Sequence, residues 1–214
     1  MGTIKQGVFG GFSGGVGTVI GGTWKGISYM RIIPAKISNP RTERQKDQRL
    51  KFALTMKFLK PISQFLKIGF KNYAVSMTGI NAAMAYNIHN AVEGLYPEYS
   101  INYANVLVSC GILAPAFNSE VQSVSAGTVQ FSWDDNSAEL SASRLDKTML
   151  MVYNVLKGQA VCVIDKGVRS DLSQIVTVPK SFFGDQVHCY IGFISEDDME
   201  VSNSNYVGVV TIAD

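Results

Sequence analysis

From residue 120 to the C-terminus, apolar and polar residues alternate with a period of two, and turn residues interrupt the alternation at short intervals. This pattern is typical of strands that bury one face, because successive side chains of a strand point to opposite sides of the sheet. Seven short strands are the number found in an immunoglobulin-like sandwich. The pattern therefore predicts an all-β domain over residues 119–214. Its predicted strands are Glu120–Ser125, Thr128–Trp133, Thr148–Asn154, Ala160–Ile164, Gln174–Val178, Gln186–Ile194 and Tyr206–Ile212.

The same alternation predicts which side chains form the interior of the sandwich. His188 and Cys189 are neighbours on one predicted strand, so we expect their side chains on opposite faces of the sheet. The residues expected to point inward are Val129, Phe131, Trp133, Leu150, Val152, Val176, Val187, Cys189, Ile191 and Val209.

Glycine separates short β-type runs between residues 8 and 33. Because glycine adopts positive φ at little steric cost, this spacing suits tight hairpin turns. The runs Val16–Ile20, Trp24 and Ile27–Ile33 predict a β-ribbon that ends before Pro34. So much glycine specifies strand register only weakly. We therefore expect a neighbouring sheet or another subunit to hold the ribbon.

Apolar residues recur every three or four positions between residues 42 and 69, which predicts amphipathic helices. Pro61 interrupts this stripe, and a proline inside a helix costs about 3 kcal/mol. We therefore predict one helix from Thr42 to about Lys60 and a second that ends near Gly69. The stripe consists of Leu50, Leu54, Phe58, Ile62, Phe65 and Leu66.

The region between the helices and the sandwich carries weaker signals. Ile80–Val92 is compatible with a helix, and Val106–Ser109 with a strand. Taken with the stronger patterns, these elements predict an α+β protein of two domains. Residues 1–118 would form a glycine-rich β-ribbon and helical region, and residues 119–214 a β-sandwich.

The two predicted domains carry opposite charge. Residues 1–118 hold 13 Lys and Arg against 4 Asp and Glu, whereas residues 119–214 hold 6 against 13. Much of the positive charge lies on the polar side of the predicted helices, over residues 42–71. The candidate interaction face consists of Arg44, Arg49, Lys57, Lys60 and Lys67.

Three environments suit such a basic face. Nucleic acid would contact it through phosphates. An acidic protein surface, including the acidic sandwich of a second copy, would attract it as well. The third alternative is an ordinary solvated helix face. The charge asymmetry favours a protein partner over nucleic acid, and the sequence leaves the alternatives open.

The residue types that support catalysis do not form a recognisable pattern. The glycine-rich stretch lacks the third glycine of a dinucleotide fingerprint and the lysine of a phosphate-binding loop. Cys110, Cys162 and Cys189 lack metal-ligand spacing, so buried thiols are the better interpretation. No sequence motif of a nucleophilic serine or cysteine occurs together with His89 or His188. We therefore predict no catalytic, cofactor-binding or metal-binding residues, and a protein that is not an enzyme.

No apolar run reaches the roughly 18–20 residues that a membrane-spanning helix needs. The N-terminus also lacks the charged start and apolar block of a secretion signal. The expectation is a chain without a membrane span, made in the cytoplasm, alone or as part of a larger particle.

Several segments resemble known families. VQFSW, MLMVYN and VPKSFFGDQVHCYIGF are similar to strands of a fibronectin type III sandwich. GGFSGGVGTVIGGTWKG, NPRTERQKDQRLKFALTMKFLKPISQFLKIGFK and YPEYSINYANVLVSCGIL resemble an uncharacterised family common in Bacteroidota, over nearly the full length. That family implies no established activity. The order of W-K-G and N-P-R-T also resembles N-terminal segments of phage and prophage structural proteins.

These features favour a non-enzymatic structural or assembly protein that associates with itself or with a protein partner. A phage-derived or self-assembling particle or filament component is the most concrete version. The alternative is a cytoplasmic nucleic-acid-binding protein that uses the basic helix of residues 42–71.

Overall fold

The computed structural model describes residues 2–4, 10–24, 26–35, 41–73, 77–139 and 141–214. The chain divides into two compact units, Met1–Thr42 and Glu43–Asp214, which we call the ribbon unit and the main unit. The fold is α+β, with three α-helices among the described residues and sheets whose strands pair antiparallel.

The ribbon unit is a four-stranded sheet whose strands follow chain order. Its turns at Gly17 and Gly26 have φ of +57° and +82°, which glycine adopts without a clash. The predicted hairpins are confirmed, but the predicted strand Val16–Ile20 is wrong, because the turn at Gly17 splits it. The strands are β1 (Thr3–Ile4), β2 (Phe12–Val16), β3 (Val19–Trp24) and β4 (Ile27–Ile32).

The main unit ends in a sandwich of two antiparallel sheets, and all seven predicted strands are confirmed with small shifts at their ends. The seven strands are β7 (Phe117–Gln122), β8 (Thr128–Asp134), β9 (Lys147–Asn154), β10 (Gln159–Val168), β11 (Ser173–Thr177), β12 (Gln186–Ile194) and β13 (Asn205–Thr211). The three-stranded sheet has the order β11-β8-β7, and the four-stranded sheet the order β10-β9-β12-β13.

Nine of the ten predicted interior residues are buried between the two sheets. The exception is Val209, which is 47% exposed. It pairs with His188 rather than with Val187 or Cys189. Because paired residues share a face of the sheet, Val209 lies on the outer side with His188. The predicted separation of His188 and Cys189 onto opposite faces is confirmed, since Cys189 belongs to the interior and His188 stacks on Tyr103 outside it.

Three helices precede the sandwich and follow the sequence pattern closely. The predicted break at Pro61 is confirmed, because it falls between the first helix and the second. Thr78 caps the third helix by accepting a hydrogen bond from the Asn81 amide at 3.3 Å. Among the helices of the described residues, none is long and apolar enough to cross a membrane. The elements are α1 (Glu43–Leu59), α2 (Ser63–Gly69), α3 (Gly79–Asn90) and a hairpin of β5 (Val92–Leu95) and β6 (Glu98–Ile101).

The helices pack on the outer face of the four-stranded sheet and form a second core there. Phe58, Leu66 and Phe70 from the helical region share this core with Met149, Met151, Tyr153 and Tyr190 from the sheet. The predicted domain boundary between residues 118 and 119 therefore falls inside the main unit. The apolar stripe is buried from Phe58 onward, whereas Leu50 in the first half of α1 is 40% exposed.

The predicted strand Val106–Ser109 is wrong, because these residues pair with no strand of a sheet. The segment is held in place by other hydrogen bonds. Its Val108 amide donates to Ser204 Oγ at 2.9 Å, and the Cys110 amide donates to the Gly69 carbonyl at 2.8 Å. At Gly69 an added Cβ would lie 2.5 Å from the Val108 carbonyl oxygen. The segment therefore links the end of α2 to the start of β13 through close backbone contact.

Candidate interaction surfaces

The five predicted basic residues are all exposed but belong to different parts of the helical region. Arg44, Arg49 and Lys57 lie on α1, Lys60 follows its end, and Lys67 lies on α2. At about 100° per residue, Arg49 and Lys57 lie about 80° apart around α1, whereas Arg44 lies about 140° from each. Arg49 and Lys57 therefore lie closer to each other around the axis of α1 than either lies to Arg44. Their role as an interaction face stays a prediction.

One end of the basic stretch already contacts an acidic turn of the same unit. Asn72 Nδ2 donates to the Met199 carbonyl at 2.9 Å. The pKa of Asp197 is lowered, first by the hydrogen bond from Ser195 and also by the charge of Lys71. The turn that carries Asp197 is therefore engaged within the chain, at the C-terminal end of the basic stretch.

The N-terminal half of α1 is attached to the β5–β6 hairpin by a small polar cluster. The Tyr99 hydroxyl donates to Asp47, Lys51 Nζ lies 3.2 Å from Asp47 Oδ2, and the same ammonium lies 4.9 Å from the centre of the Tyr99 ring. The Tyr99 hydrogen bond and Lys51 together lower the pKa of the Asp47 carboxyl. The Asp–Lys spacing of four residues was visible in the sequence, whereas the tyrosine partner was not.

The ribbon unit exposes apolar side chains on both faces of its sheet. On β4, Ile27 and Tyr29 point to one face, and Met30 and Ile32 point to the other, with exposures of 66%, 46%, 71% and 75%. Tyr29 lies over Gly22, where an added Cβ would meet its ring at 3.1 Å. A cross-strand aromatic over glycine fixes the register that the glycines leave weak. The register between β3 and β4 runs through six consecutive pairs without a bulge.

The sandwich has four edge strands, and three of them are interrupted within the part of the chain that the structure describes. The ladder of β10 shifts between Ile164 and Val168. The pairing of β12 with β13 shifts at Cys189 and Tyr190, and that of β7 with β8 shifts between Phe117 and Glu120. The fourth edge strand, β11, pairs with β8 through five consecutive residues without a shift.

Arg169 is a fully buried charged residue of the main unit and lies in a cluster of buried polar groups. It is 0% exposed, and its guanidinium contacts Asp146 Oδ2 at 3.1 Å, Asn136 Oδ1 at 2.6 Å and the Ala114 carbonyl at 2.8 Å. Its donors are used inside the fold, and its charged group lies 3.8 Å from the Phe193 ring. The cluster therefore holds loops together and presents no open site.

The three cysteines form no disulfide. Burial raises the pKa of Cys189 to about 12, which disfavours the reactive thiolate. Cys162 is exposed and Cys110 is only partly buried, so the expectation of three buried thiols holds for Cys189 alone. Within the described residues, no group of His, Cys, Asp and Glu is spaced to hold a metal ion.

A family model matches residues 11–208 of the chain. The chain belongs to the family of unknown function DUF6266. This match runs through both the ribbon unit and the main unit. The ribbon is therefore part of the family module rather than an addition to it.

Other comparisons give weaker likenesses. A search of curated proteins found no match. The solved structures that are similar include a fibronectin type III domain of human collagen alpha-1(XX), at 14% identity and a TM-score of 0.37, covering 48% of this chain and 88% of that one. The FN5 domain of Drosophila Lar has 12% identity and a TM-score of 0.31, covering 47% and 99%. A fibronectin type III domain of human contactin 1 has 10% identity and a TM-score of 0.33, covering 49% and 82%.

Proposed function

We propose that this protein is a non-enzymatic structural or assembly protein, and that its ribbon unit docks onto a protein partner. The observation that carries the proposal is the exposure of apolar side chains on both faces of β4. A sheet gains its stability by burying at least one apolar face. Contiguous exposed apolar surface marks interaction sites in soluble proteins.

Charge indicates which kind of partner suits the ribbon. Residues 1–42 contain five Lys and Arg and no Asp or Glu. An acidic protein surface would therefore attract the ribbon and orient it before apolar contact forms. The sandwich of residues 119–214, which we assign to the fibronectin type III kind, carries such an excess of acidic residues. In its most specific form the proposal is a self-assembling particle or filament component of phage origin.

Light scattering of the full chain after size-exclusion chromatography tests this function. We expect the mass to rise with protein concentration and to fall as salt is raised, because the Debye length falls from about 10 Å at 0.1 M to about 3 Å at 1 M. Replacing Ile27 and Met30 with threonine should reduce the association, since threonine keeps the strand preference but removes apolar surface. The matched control is Leu156→Thr, because Leu156 is 77% exposed on a turn of the main unit.

Two results would contradict the proposal. One is a monomer at every concentration and salt. The other is an assembly that the ribbon variant and the Leu156→Thr control weaken equally, which would show that the ribbon has no special part in it.

Nucleic-acid binding is the second candidate function. Lys57 and Lys60 are exposed and form no ion pair with any residue that the structure describes. Replacing Lys57, Lys60 and Lys67 with glutamate should then weaken binding to DNA or RNA of every sequence and flatten its salt dependence. Unchanged nucleic-acid affinity in this variant would remove this candidate.

A further inference from the structure

Edge strands expose backbone hydrogen-bonding groups, and natural sheets protect them with bulges, charges or proline. In the sandwich, β10 has both a bulge and a charged pair, Asp165 and Lys166. Bulges also disturb the pairing of β7 and of β13. By contrast, β11 has the sequence SQIVT, with neither charge nor proline, and an uninterrupted ladder.

The hydrogen bonds of β11 show which of its residues face the unpaired edge. The Val178 amide donates to Gly127, and the Leu172 carbonyl accepts from Trp133, both toward β8. Backbone direction alternates along a strand, so even-numbered residues bond to β8. The N–H and C=O groups of residues 173, 175 and 177 therefore point away from the sheet. Ile175, at the centre, is 58% exposed.

Alternate backbone groups of β4, at the edge of the ribbon unit, also point away from their sheet. The Ile33 amide donates to the Thr18 carbonyl at 2.8 Å, so odd-numbered residues bond toward β3. The backbone groups of residues 28, 30 and 32 then point outward, and no described residue pairs with them. The strand reads ISYMRI, with one charged residue, Arg31, and without proline or bulge.

We propose that β4 of one copy pairs with β11 of a second copy, so that the ribbon extends the three-stranded sheet of its neighbour. The inference rests on the proposed assembly function and names the partner. Antiparallel pairing centred on Met30 and Ile175 places these two exposed apolar side chains on one face. Backbone hydrogen bonds supply affinity in such strand addition, and side-chain pairs supply register.

Charge favours a second copy's sheet as the occupant over a second ribbon. The strands β7, β8 and β11 carry exposed Glu120 and Asp134 and no Lys or Arg. Two ribbons would instead bring together basic surfaces without a carboxylate between them. A contact between two different surfaces of identical chains is heterologous, and repeats into a ring or an open filament.

The test uses two full-length variants that each block one edge. Met30→Pro and Ile175→Pro remove an outward N–H that neither ladder uses, which is where edge strands tolerate proline. Each variant alone should run as a monomer in light scattering. An equimolar mixture should form a one-to-one dimer and nothing larger, because one variant retains an intact β11 and the other an intact β4. The matched controls Met30→Val and Ile175→Val keep the N–H and should assemble like the original chain.

The outcomes separate the inference from the function on which it rests. If the original chain assembles and Ile175→Pro assembles equally well, the β11 contact is overturned while the assembly function stands. If the original chain stays monomeric, both the β4–β11 pairing and the assembly function are contradicted. Circular dichroism of each proline variant must match that of its valine control. Should Ile175→Pro disturb the sandwich, Ile175→Lys with Thr177→Lys replaces it, since both side chains are exposed and lysine protects natural edges.

Discussion

At the scale of single residues, the main unit depends on the buried charge of Arg169. No local sequence pattern predicts that this arginine is buried. Arg169 follows a strand and lies in a short 3₁₀ turn, where an arginine is ordinarily exposed. Its carbonyl accepts a hydrogen bond from Trp133 Nε1 at 2.8 Å, and its side chain joins Asp146, Asn136 and Ala114. One residue thus connects three loops to the core tryptophan.

Replacing Arg169 with methionine should lower the free energy of unfolding by about 3–5 kcal/mol, because Asp146 would stay buried without its partner. The double variant Arg169→Met with Asp146→Asn should cost less than the sum of the two single changes. Urea denaturation of the three variants measures this coupling. Strict additivity would show that the two groups do not act as a pair.

We expect His188 to make the stability of the main unit depend on pH. Its ring stacks on Tyr103 with 4.0 Å between centroids, and its Nδ1 lies 2.9 Å from Tyr206 Oη. Burial lowers the pKa of His188 below its usual 6.5. Below pH 6.5 the unfolded chain therefore takes up a proton that the folded chain does not, and folding loses stability.

We expect the free energy of unfolding to fall as pH drops through 6.5 and to level off once the folded histidine is protonated. His188→Gln keeps a hydrogen-bonding side chain but does not titrate. Its stability should therefore be flatter between pH 7.5 and roughly pH 5.5, above the range where carboxylates begin to titrate. Denaturant titrations at several pH values measure both chains. If the free energy of unfolding of the original chain and of His188→Gln changed identically with pH, His188 would not be the titrating group.

At the scale of elements, the helices and the sandwich depend on each other. The outer face of the four-stranded sheet carries Met149, Met151 and Tyr190, which are 0% exposed because the helical region covers them. A helix layer on one sheet of a sandwich leaves the other sheet uncovered on its outer side. Within the described residues of the main unit, the three-stranded sheet with β11 is that uncovered layer, and its Ile175 is 58% exposed.

Deleting residues 1–42 should leave a cooperative unfolding transition, because the main unit is a compact unit by itself. A fragment of residues 119–214 should instead melt at lower temperature or aggregate, since it exposes the apolar outer face of its four-stranded sheet. Calorimetry of the two fragments compares them. Equal melting temperatures would mean that the helices add nothing to the stability of the sandwich.

The elements were predictable from the sequence where local periodicity decides them. Alternation located all seven sandwich strands, and Pro61 located the break between α1 and α2. Features that depend on pairing across the chain were not predictable. Val209 faces outward because of a bulge in the pairing of β12 with β13, and the Val108 amide donates to Ser204 Oγ rather than to a neighbouring strand. The unpaired edges of β4 and β11 follow from register in the same way, so no local signal in the sequence identifies them as a pair.

At the scale of the whole molecule, the proposed assembly role is supported by charge, by apolar exposure and by strand edges that no described residue pairs with. The ribbon unit is basic and exposes apolar residues, and the sandwich is acidic with one uninterrupted edge. Surfaces of opposite charge on one chain favour association between copies. They disfavour contact between two surfaces of the same charge. We expect this association to run through the ribbon unit.

Hydrogen–deuterium exchange at increasing protein concentration measures whether the ribbon unit takes part in the association. We predict that the outward amides of residues 28, 30 and 32 in β4, and of residues 173, 175 and 177 in β11, exchange more slowly as the protein assembles. The β10 edge, protected by its bulge, should exchange at a constant rate and serves as the internal control. Exchange of the β4 amides at the same rate in the monomer and in the assembled protein would contradict the account.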